Sequence, residues 1–442
     1  MASHSSESSL VRVLGIWGLA ASIVNITIGG GIYRLPAGAA KALGPAAPIA
    51  YIVCAVAMGL IVICFAEAGS RVSLTGGLYA YVEVALGPFV GFIAGLLLWA
   101  GITTAVAAVS SVFADAVVAL VPALGGAGMR PMLLVVMVAG LATLNILGVS
   151  GASRFNTVMT VAKLLPLLLL IVLGIASIRR ENLAWGAAPE GAAIARASAF
   201  LIFAFLGVET ALVPSGEVRD SARTVPRAIG LAMIAVTVLY LAVQLVTQGI
   251  LGATLASQTT PLAEAAGVAM GPSGRQLMLV GAAVSMFGFV SGAILSVPRM
   301  LFAFARDGFM PGVVASVHPR FRTPHVAIVV QAVVVIALSV SGTFEQLVIV
   351  ANAAILVVYA VCCIAVIELR RRNVTQAGGT PFRAPVVIPV VAIAVIVWLL
   401  ASLKPAEWGA VGVLVAIAVL LYALTHSSRM TKRRQGEEAQ AA

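Results

Sequence analysis

The sequence predicts an all-α polytopic membrane protein, and two observations carry that prediction. Of the 442 residues, 61% are hydrophobic and only 10% are charged, and the mean hydropathy is +1.10. A soluble domain is about half apolar and about a quarter charged. The chain also contains about twelve apolar runs near the length of roughly 20 residues that a helix needs to cross a bilayer.

These runs predict helices because they exceed strand length and lack the ten-residue alternation of an outer-membrane barrel. In chain order, the predicted spans cover residues 13–37, 46–68, 88–120, 130–149, 156–178, 197–217, 226–250, 277–304, 325–341, 345–368, 385–402 and 407–425. Polar tails at 1–12 and 426–442 flank them.

Membrane topology explains the net charge of +11. If the N-terminus lies in the cytoplasm, most arginines and lysines fall in cytoplasmic tails and loops, as the positive-inside rule requires. Nucleic-acid binding is then not needed to explain the charge. The start "MASHSSESS" lacks the basic region and cleavage site of a signal peptide. We therefore expect an uncleaved protein of the cytoplasmic membrane with both tails inside.

The sequence argues against a cofactor, a metal centre and catalysis. The four histidines are scattered in tails and loops without metal-ligand spacing. No lysine follows a glycine, so the chain has no Walker A loop. The Ser/His pair or HExxH helix of an intramembrane enzyme is also absent from the sequence.

Two predicted helices contain residues that should interrupt them. In the first span, "NITIGGGIYRLP" places three glycines (29–31) ahead of Pro36, and in the sixth span Gly207 and Glu209 precede Pro214. Glycines let a helix unwind and let a ligand approach the backbone closely. The alternative is a helix-packing patch, since small residues let membrane helices approach each other.

Each interruption lies in the first helix of a group of five predicted helices. Residues 13–178 form one group and residues 197–368 the other. An odd number of helices per group forces the two groups into opposite orientations. Inverted repeats with a broken helix at the same position in each are typical of secondary transporters. Residues 385–425 then supply two additional helices.

Four motifs follow one another along the chain. They are "IGGGIYRLP" at 28–36, "TGGLYAYVEVALGP" at 75–88, "FAFLGVETALVPSGEVRDSARTVPRA" at 203–228 and "ARDGFMP" at 305–311. In sequence and order they resemble the motifs of the amino acid/polyamine/organocation superfamily of secondary transporters. The resemblance implies a LeuT-like fold of five plus five inverted helices with two added helices, and with helices 1 and 6 broken. Two departures are Tyr33-Arg34, where Phe plus an apolar residue is usual, and Asp220-Ser221, where Asn-Pro is frequent.

The resemblance also implies a substrate site at the two breaks, for an amino acid or a polyamine. The glycine N–H groups would bind the carboxylate of an amino acid, and carbonyls near the breaks would bind its ammonium group. Phe203 would cover the substrate as an aromatic gate, although a membrane Phe is often ordinary core. The expected substrate-binding residues are Ile26, Gly29, Gly30, Gly31, Phe203, Ala204 and Gly207.

Further candidates for a side-chain pocket are spread along the chain, and any of them can be ordinary core. Arg34 would bias the pocket against cationic substrates or favour an acidic one, unless it faces a watery vestibule or pairs with an acid. The full set is Arg34, Trp99, Ser285, Met286, Phe289 and Asn352.

Two charged residues within spans are candidates for ion coupling. By the resemblance, Lys163 on the fifth helix takes the place of a sodium ion and permits proton coupling; the alternative is a lysine that snorkels to the interface. Glu209 is either a proton carrier or a hydrogen-bonded brace of the unwound segment. We expect proton-coupled uptake, with sodium-independent amino acid or amino acid/amine exchange as the alternative. A channel fits paired broken helices less well.

Overall fold

The computed structural model describes residues 16–72, 78–126, 128–148, 152–208, 221–375 and 381–425. Regular structure within these ranges is α-helical with short 3₁₀ turns, which confirms the all-α prediction. Seven helical stretches there are long and apolar enough to cross a membrane, and four shorter apolar helices accompany them. The chain is therefore a multi-pass membrane protein, whereas the count of twelve helices stays a prediction. Glu209 and both predicted tails lie outside the described residues.

Most helices begin and end within a few residues of the predicted spans, and 88–120 and 325–341 match to the residue. In chain order the helices are α1 (Ile16–Thr27), α2 (Leu35–Leu43), α3 (Ala47–Arg71), α4 (Leu78–Leu86), α5 (Pro88–Leu120), α6 (Met129–Ile146), α7 (Ala152–Gly174), α8 (Gly191–Leu201), α9 (Ser221–Leu251), α10 (Pro261–Ser296), α11 (Pro298–Arg306), α12 (His325–Ser341), α13 (Phe344–Arg371), α14 (Val387–Ala401) and α15 (Pro405–Leu424).

The predicted span at 277–304 begins too late, whereas its end lies within two residues of Arg306, where the apolar helical stretch ends. Helix α10 begins at Pro261, and its backbone is interrupted at Gly271, where φ is +73° and Pro272 follows. The preceding stretch "PLAEAAGVAM" favours helix through its alanines, but ten residues are too few to span a bilayer and so give no span signal. At the other end, α10 stops at Ser296 and α11 starts at Pro298, because proline suits the first turn of a helix.

The chain divides into two compact units, each assembled from three separate segments. The first contains the described residues of 1–94, 175–258 and 356–403, and the second those of 95–174, 259–355 and 404–442. Each unit therefore takes segments from both predicted repeats. The repeats at 13–178 and 197–368 stay a prediction.

In the first unit, α9 packs along α1 and α3, and α8 packs against α2 and α3. Its interior holds large aromatic side chains that are 0% exposed, among them Tyr51, Phe65, Phe205 and Tyr240. In the second unit, α7 packs against α10, and α6 packs against α12. These contacts position the broken helices in the first unit and Lys163 in the second.

A buried ion cluster fixes the end of α3 to the end of α13 and to the connection after it. The Glu67 carboxylate is 0% exposed and accepts hydrogen bonds from both Arg71 and Arg370. The backbone N–H of Ala384 donates to the same carboxylate at 2.9 Å, and Arg370 donates to the Ala384 carbonyl. Arg71 in turn donates to the carbonyl of Val374 at 3.3 Å. A single carboxylate thus organises three segments of the first unit.

Replacing Glu67 with glutamine tests this role. The substitution keeps the shape of the side chain but leaves two largely buried guanidinium groups without a counter-charge. We expect the free energy of unfolding to fall by about 3 kcal/mol or more. Thermal unfolding of the purified protein in detergent measures the effect.

Glu368→Gln is the matched control. The Glu368 carboxylate pairs with Arg372, which is 54% exposed. The loss of this ion pair should lower the free energy of unfolding by less than about 1 kcal/mol. Equal melting temperatures for the Glu67→Gln and Glu368→Gln proteins would contradict the structural role of the cluster.

Candidate functional site

The first break follows the glycine run that the sequence singles out. Helix α1 ends at Thr27, a 3₁₀ turn covers Gly31–Tyr33, and α2 begins at Leu35. The N–H of Gly29 donates to the Thr27 carbonyl at 2.8 Å, whereas the N–H of Gly31 has no backbone acceptor among the described residues. At least this donor of the unwound segment is left for another partner.

The glycines of this break provide space rather than unusual dihedral angles. None of the three has a positive φ. A Cβ atom at Gly31 would lie 2.9 Å from Cδ1 of Phe203, closer than real Cβ contacts come. Gly31 therefore lets the ring of Phe203 lie directly against the backbone of the first break.

The second break does require the conformational freedom of glycine. Helix α8 ends at Leu201, a 3₁₀ turn covers Ile202–Phe205, and Leu206 is extended. Gly207 has φ of +102°, which L side chains rarely adopt. The helix therefore does not continue through Gly207, in agreement with the sequence.

The two breaks lie against each other inside the first unit. Phe203 is 7% exposed and covers Gly31, and one helical turn earlier the ring of Phe200 lies where a Cβ of Gly38 would be. The gate predicted at Phe203 is thus a buried ring seated on the first break. This position suits either a substrate cover or a packing contact between the 3₁₀ turns of the two breaks.

Tyr240 connects the carbonyl ends of both breaks, and sequence reasoning missed it. Its hydroxyl lies 3.0 Å from the Thr27 carbonyl oxygen and 2.8 Å from that of Ala204. A phenol has one proton, so it donates fully to only one carbonyl at a time. The only sequence signal is a tyrosine within the apolar stretch "TVLYLAV".

Ile26 and Arg34 lie on either side of the first break. The backbone of Ile26 belongs to the last turn of α1, and its side chain is outside what the structure describes. Arg34 is half-buried between the 3₁₀ turn and α2, and its backbone N–H donates to the Gly31 carbonyl at 3.0 Å. The arginine that departs from the family pattern is therefore adjacent to the break.

In the second unit, Trp99 is held by a residue that the sequence did not single out. The indole N–H of Trp99 donates to Oε1 of Gln331 at 2.8 Å. The Gln331 amide N–H donates to Oγ1 of Thr103 at 3.1 Å, one helical turn along α5. Gln331 is 0% exposed on α12, where it is the only amide side chain in that helix. The network fixes the orientation of the indole ring.

The remaining pocket candidates also belong to the second unit. On α10, Met286 is 0% exposed, Phe289 is half-buried, and Ser285 is 4% exposed with no hydrogen-bond partner for its hydroxyl in the described part of the chain. Asn352 on α13 is 1% exposed. Lys163 is 9% exposed on α7, the helix that packs against α10. Both the coupling role and the snorkelling alternative for this lysine stay predictions.

Comparison with known proteins supports a transport role. The sequence profile of the amino acid permease family matches residues 14–425. The chain is similar to the methylthioribose transporter of Bacillus subtilis, with 27% identity over 96% of this chain and 95% of that protein. It is also similar to the branched-chain amino acid permease BcaP of the same organism, with 26% identity over 91% and 90%. The serine/threonine exchanger SteT of that organism shows 26% identity over 88% and 91%.

The contact between the two breaks can be tested with Gly31→Ala. The added methyl group should push the Phe203 ring away from the backbone and lower substrate binding or uptake by about tenfold or more, as expected when a binding geometry shifts by about 1 Å. Uptake into proteoliposomes measures the loss. Adding Phe203→Leu to Gly31→Ala should restore part of the activity, because it removes the clashing ring atoms.

Gly59→Ala on α3 is the matched control, since a Cβ there meets nothing within 4 Å. It should leave uptake unchanged. Full activity of the Gly31→Ala protein would show that the close approach of Phe203 is not required.

Proposed function

The chain belongs to the amino acid permease family, and on that premise we propose that it carries amino acids across the cytoplasmic membrane as a proton-coupled secondary transporter. Its relatives are transporters rather than enzymes. The proposal includes alternating access, the LeuT-like arrangement of two inverted repeats, and cytoplasmic termini. The distribution of basic residues supports that orientation.

The pair of helix breaks in the first unit is the observation that carries this proposal. Irregular backbone is tolerated at membrane depth only where protein or a polar cavity satisfies its hydrogen-bonding groups. The N–H of Gly31 needs such a partner, and a carboxylate would accept hydrogen bonds from it and from the N–H of Gly30. Carbonyls at Ile26 and in the stretch 203–207 suit an ammonium group. An α-amino acid carries both a carboxylate and an ammonium group on its Cα atom.

The relatives favour an amino acid as substrate and supply one alternative. Two of the named relatives are a branched-chain amino acid permease and a serine/threonine exchanger. The third is a methylthioribose transporter with similar identity, so a small neutral metabolite is the second candidate substrate. Arg34, Trp99, Ser285, Met286, Phe289 and Asn352 are the proposed pocket for the substrate side chain.

Lys163 supports coupling to protons. Its ammonium group is largely buried on α7, where a fixed positive charge would repel sodium and a titrating amine could exchange a proton. Glu209 remains a second proposed proton carrier. The name of the relative SteT favours the alternative, sodium-independent exchange.

A thermal-shift screen identifies the substrate class. We expect at least one amino acid to raise the melting temperature, because a ligand at 100 times its Kd stabilises the folded state by about 2.7 kcal/mol. The methyl ester and the N-acetyl derivative of that amino acid are matched controls. Each lacks one of the two charges that the breaks should bind, so neither should produce the shift. A response to polyamines or methylthioribose alone would refute the amino acid assignment.

Lys163→Ala tests the coupling ion. Accumulation driven by an imposed pH gradient should be lost, whereas counterflow at zero gradient should remain, because alanine has no group that binds and releases a proton while the substrate site is kept. Lys41→Ala, at an exposed lysine on α2, should change neither.

Undiminished pH dependence in the Lys163→Ala protein would exclude the coupling role. A wild-type protein that takes up substrate only when substrate is also present inside the vesicle would establish exchange instead of symport.

A further inference from the structure

The first unit contains a set of polar side chains that are buried without a partner. Among the described residues, both amide atoms of Gln244 and the hydroxyls of Thr247, Tyr51 and Thr27 have no hydrogen-bond partner. Gln244, Thr247 and Tyr51 are 0% exposed, and Thr27 is 4% exposed. The large majority of buried side-chain polar atoms in native proteins are hydrogen-bonded. A group of five such atoms in one unit therefore points to a missing partner.

These side chains come from three helices that pack together. Tyr240, Gln244 and Thr247 are spaced four and three residues apart, so they share one face of α9. Helix α9 packs against α1, which ends in Thr27, and against α3, which carries Tyr51. The rings of Tyr51 and Tyr240 are 6.3 Å apart, and the Tyr240 hydroxyl reaches the Thr27 carbonyl. We call Thr27, Tyr51, Gln244 and Thr247 the α9 polar cluster.

The chemistry of the cluster selects its ligand. The Gln244 amide offers donors at Nε2 and an acceptor at Oε1, and the three hydroxyls can each donate and accept. A cation would leave the Nε2 donors unsatisfied, and an anion would leave Oε1 unsatisfied. Water both donates and accepts, and the cluster has no charged member that would require a counter-ion.

We propose that the α9 polar cluster binds ordered water inside the first unit, where α9 packs against α1 and α3. A buried water makes about three hydrogen bonds, so five orphaned atoms correspond to roughly two water molecules. These waters would give Thr27 and the Tyr240 hydroxyl exchangeable partners next to the unwound segments. The proposal does not depend on the transported substrate or on the coupling ion.

Two substitutions that preserve shape distinguish a hydrated cluster from a dry one. If water is bound, Gln244→Met and Thr247→Val each remove real hydrogen bonds and should lower the melting temperature by about 2 °C or more. If the cluster is dry, each variant removes an unpaired buried polar group and should raise the melting temperature. Gln331→Met calibrates the assay, because the Gln331 amide has protein partners in Trp99 and Thr103 and its loss must be destabilising.

A second measurement uses the wild-type protein and so does not depend on the folding of variants. Pulsed X-ray radiolysis generates hydroxyl radicals from bound water, and mass spectrometry locates the oxidised side chains. We expect oxidation of Tyr51 and Tyr240 although both are 0% exposed, with little at Phe92, which is equally buried in the same unit. Oxidation of both tyrosines no greater than that of Phe92, or a rise in melting temperature for both variants, would overturn the proposal.

Discussion

Every backbone N–H and C=O group at membrane depth must find a partner within the protein, because lipid supplies none. An unbroken helix meets this requirement by itself, and the two breaks of the first unit do not. At the first break, Gly29 donates back to Thr27. At both breaks, the hydroxyl of Tyr240 serves a carbonyl. These are the breaks at which we propose that the charged groups of the substrate replace missing helix bonds.

The same constraint applies to charge at the end of α3. A carboxylate that is 0% exposed is tolerated at Glu67 because two guanidinium groups and one backbone N–H meet it. The cluster retains a net positive charge, in keeping with the cytoplasmic side that we propose for Arg370. Trp99, Thr103 and Gln331 form the uncharged counterpart in the second unit, where each donor of the network has an acceptor.

The sequence predicts those features that depend on local composition. The interruptions near residues 29–31 and Gly207, and helices such as α5 and α12, follow from glycine position and from the length of apolar runs. The residues that sequence reasoning missed depend on pairing over long distances. Nothing near Glu67 in sequence indicates that Arg370 meets it, and nothing near Tyr240 indicates that its hydroxyl serves Thr27 and Ala204. The early start of α10 was missed because a ten-residue helix lacks the length signal of a membrane span.

The distinction between Gly31 and Gly207 also bears on how the first unit can change shape. Two contacts interlock this region: the Phe200 ring of α8 occupies the space that a Cβ atom of Gly38 on α2 would need, and the Phe203 ring does the same at Gly31, in the 3₁₀ turns of the two breaks. Densely packed contacts of this kind do not deform continuously, so sliding α2 past α8 would first have to displace both rings. Beside these contacts, the Tyr240 hydroxyl lies on the carbonyls of Thr27 and Ala204, and Gly207 takes a left-handed conformation. Motion of α1 relative to α2 would therefore have to release the Phe203 ring from Gly31, next to the backbone groups that we propose for substrate binding.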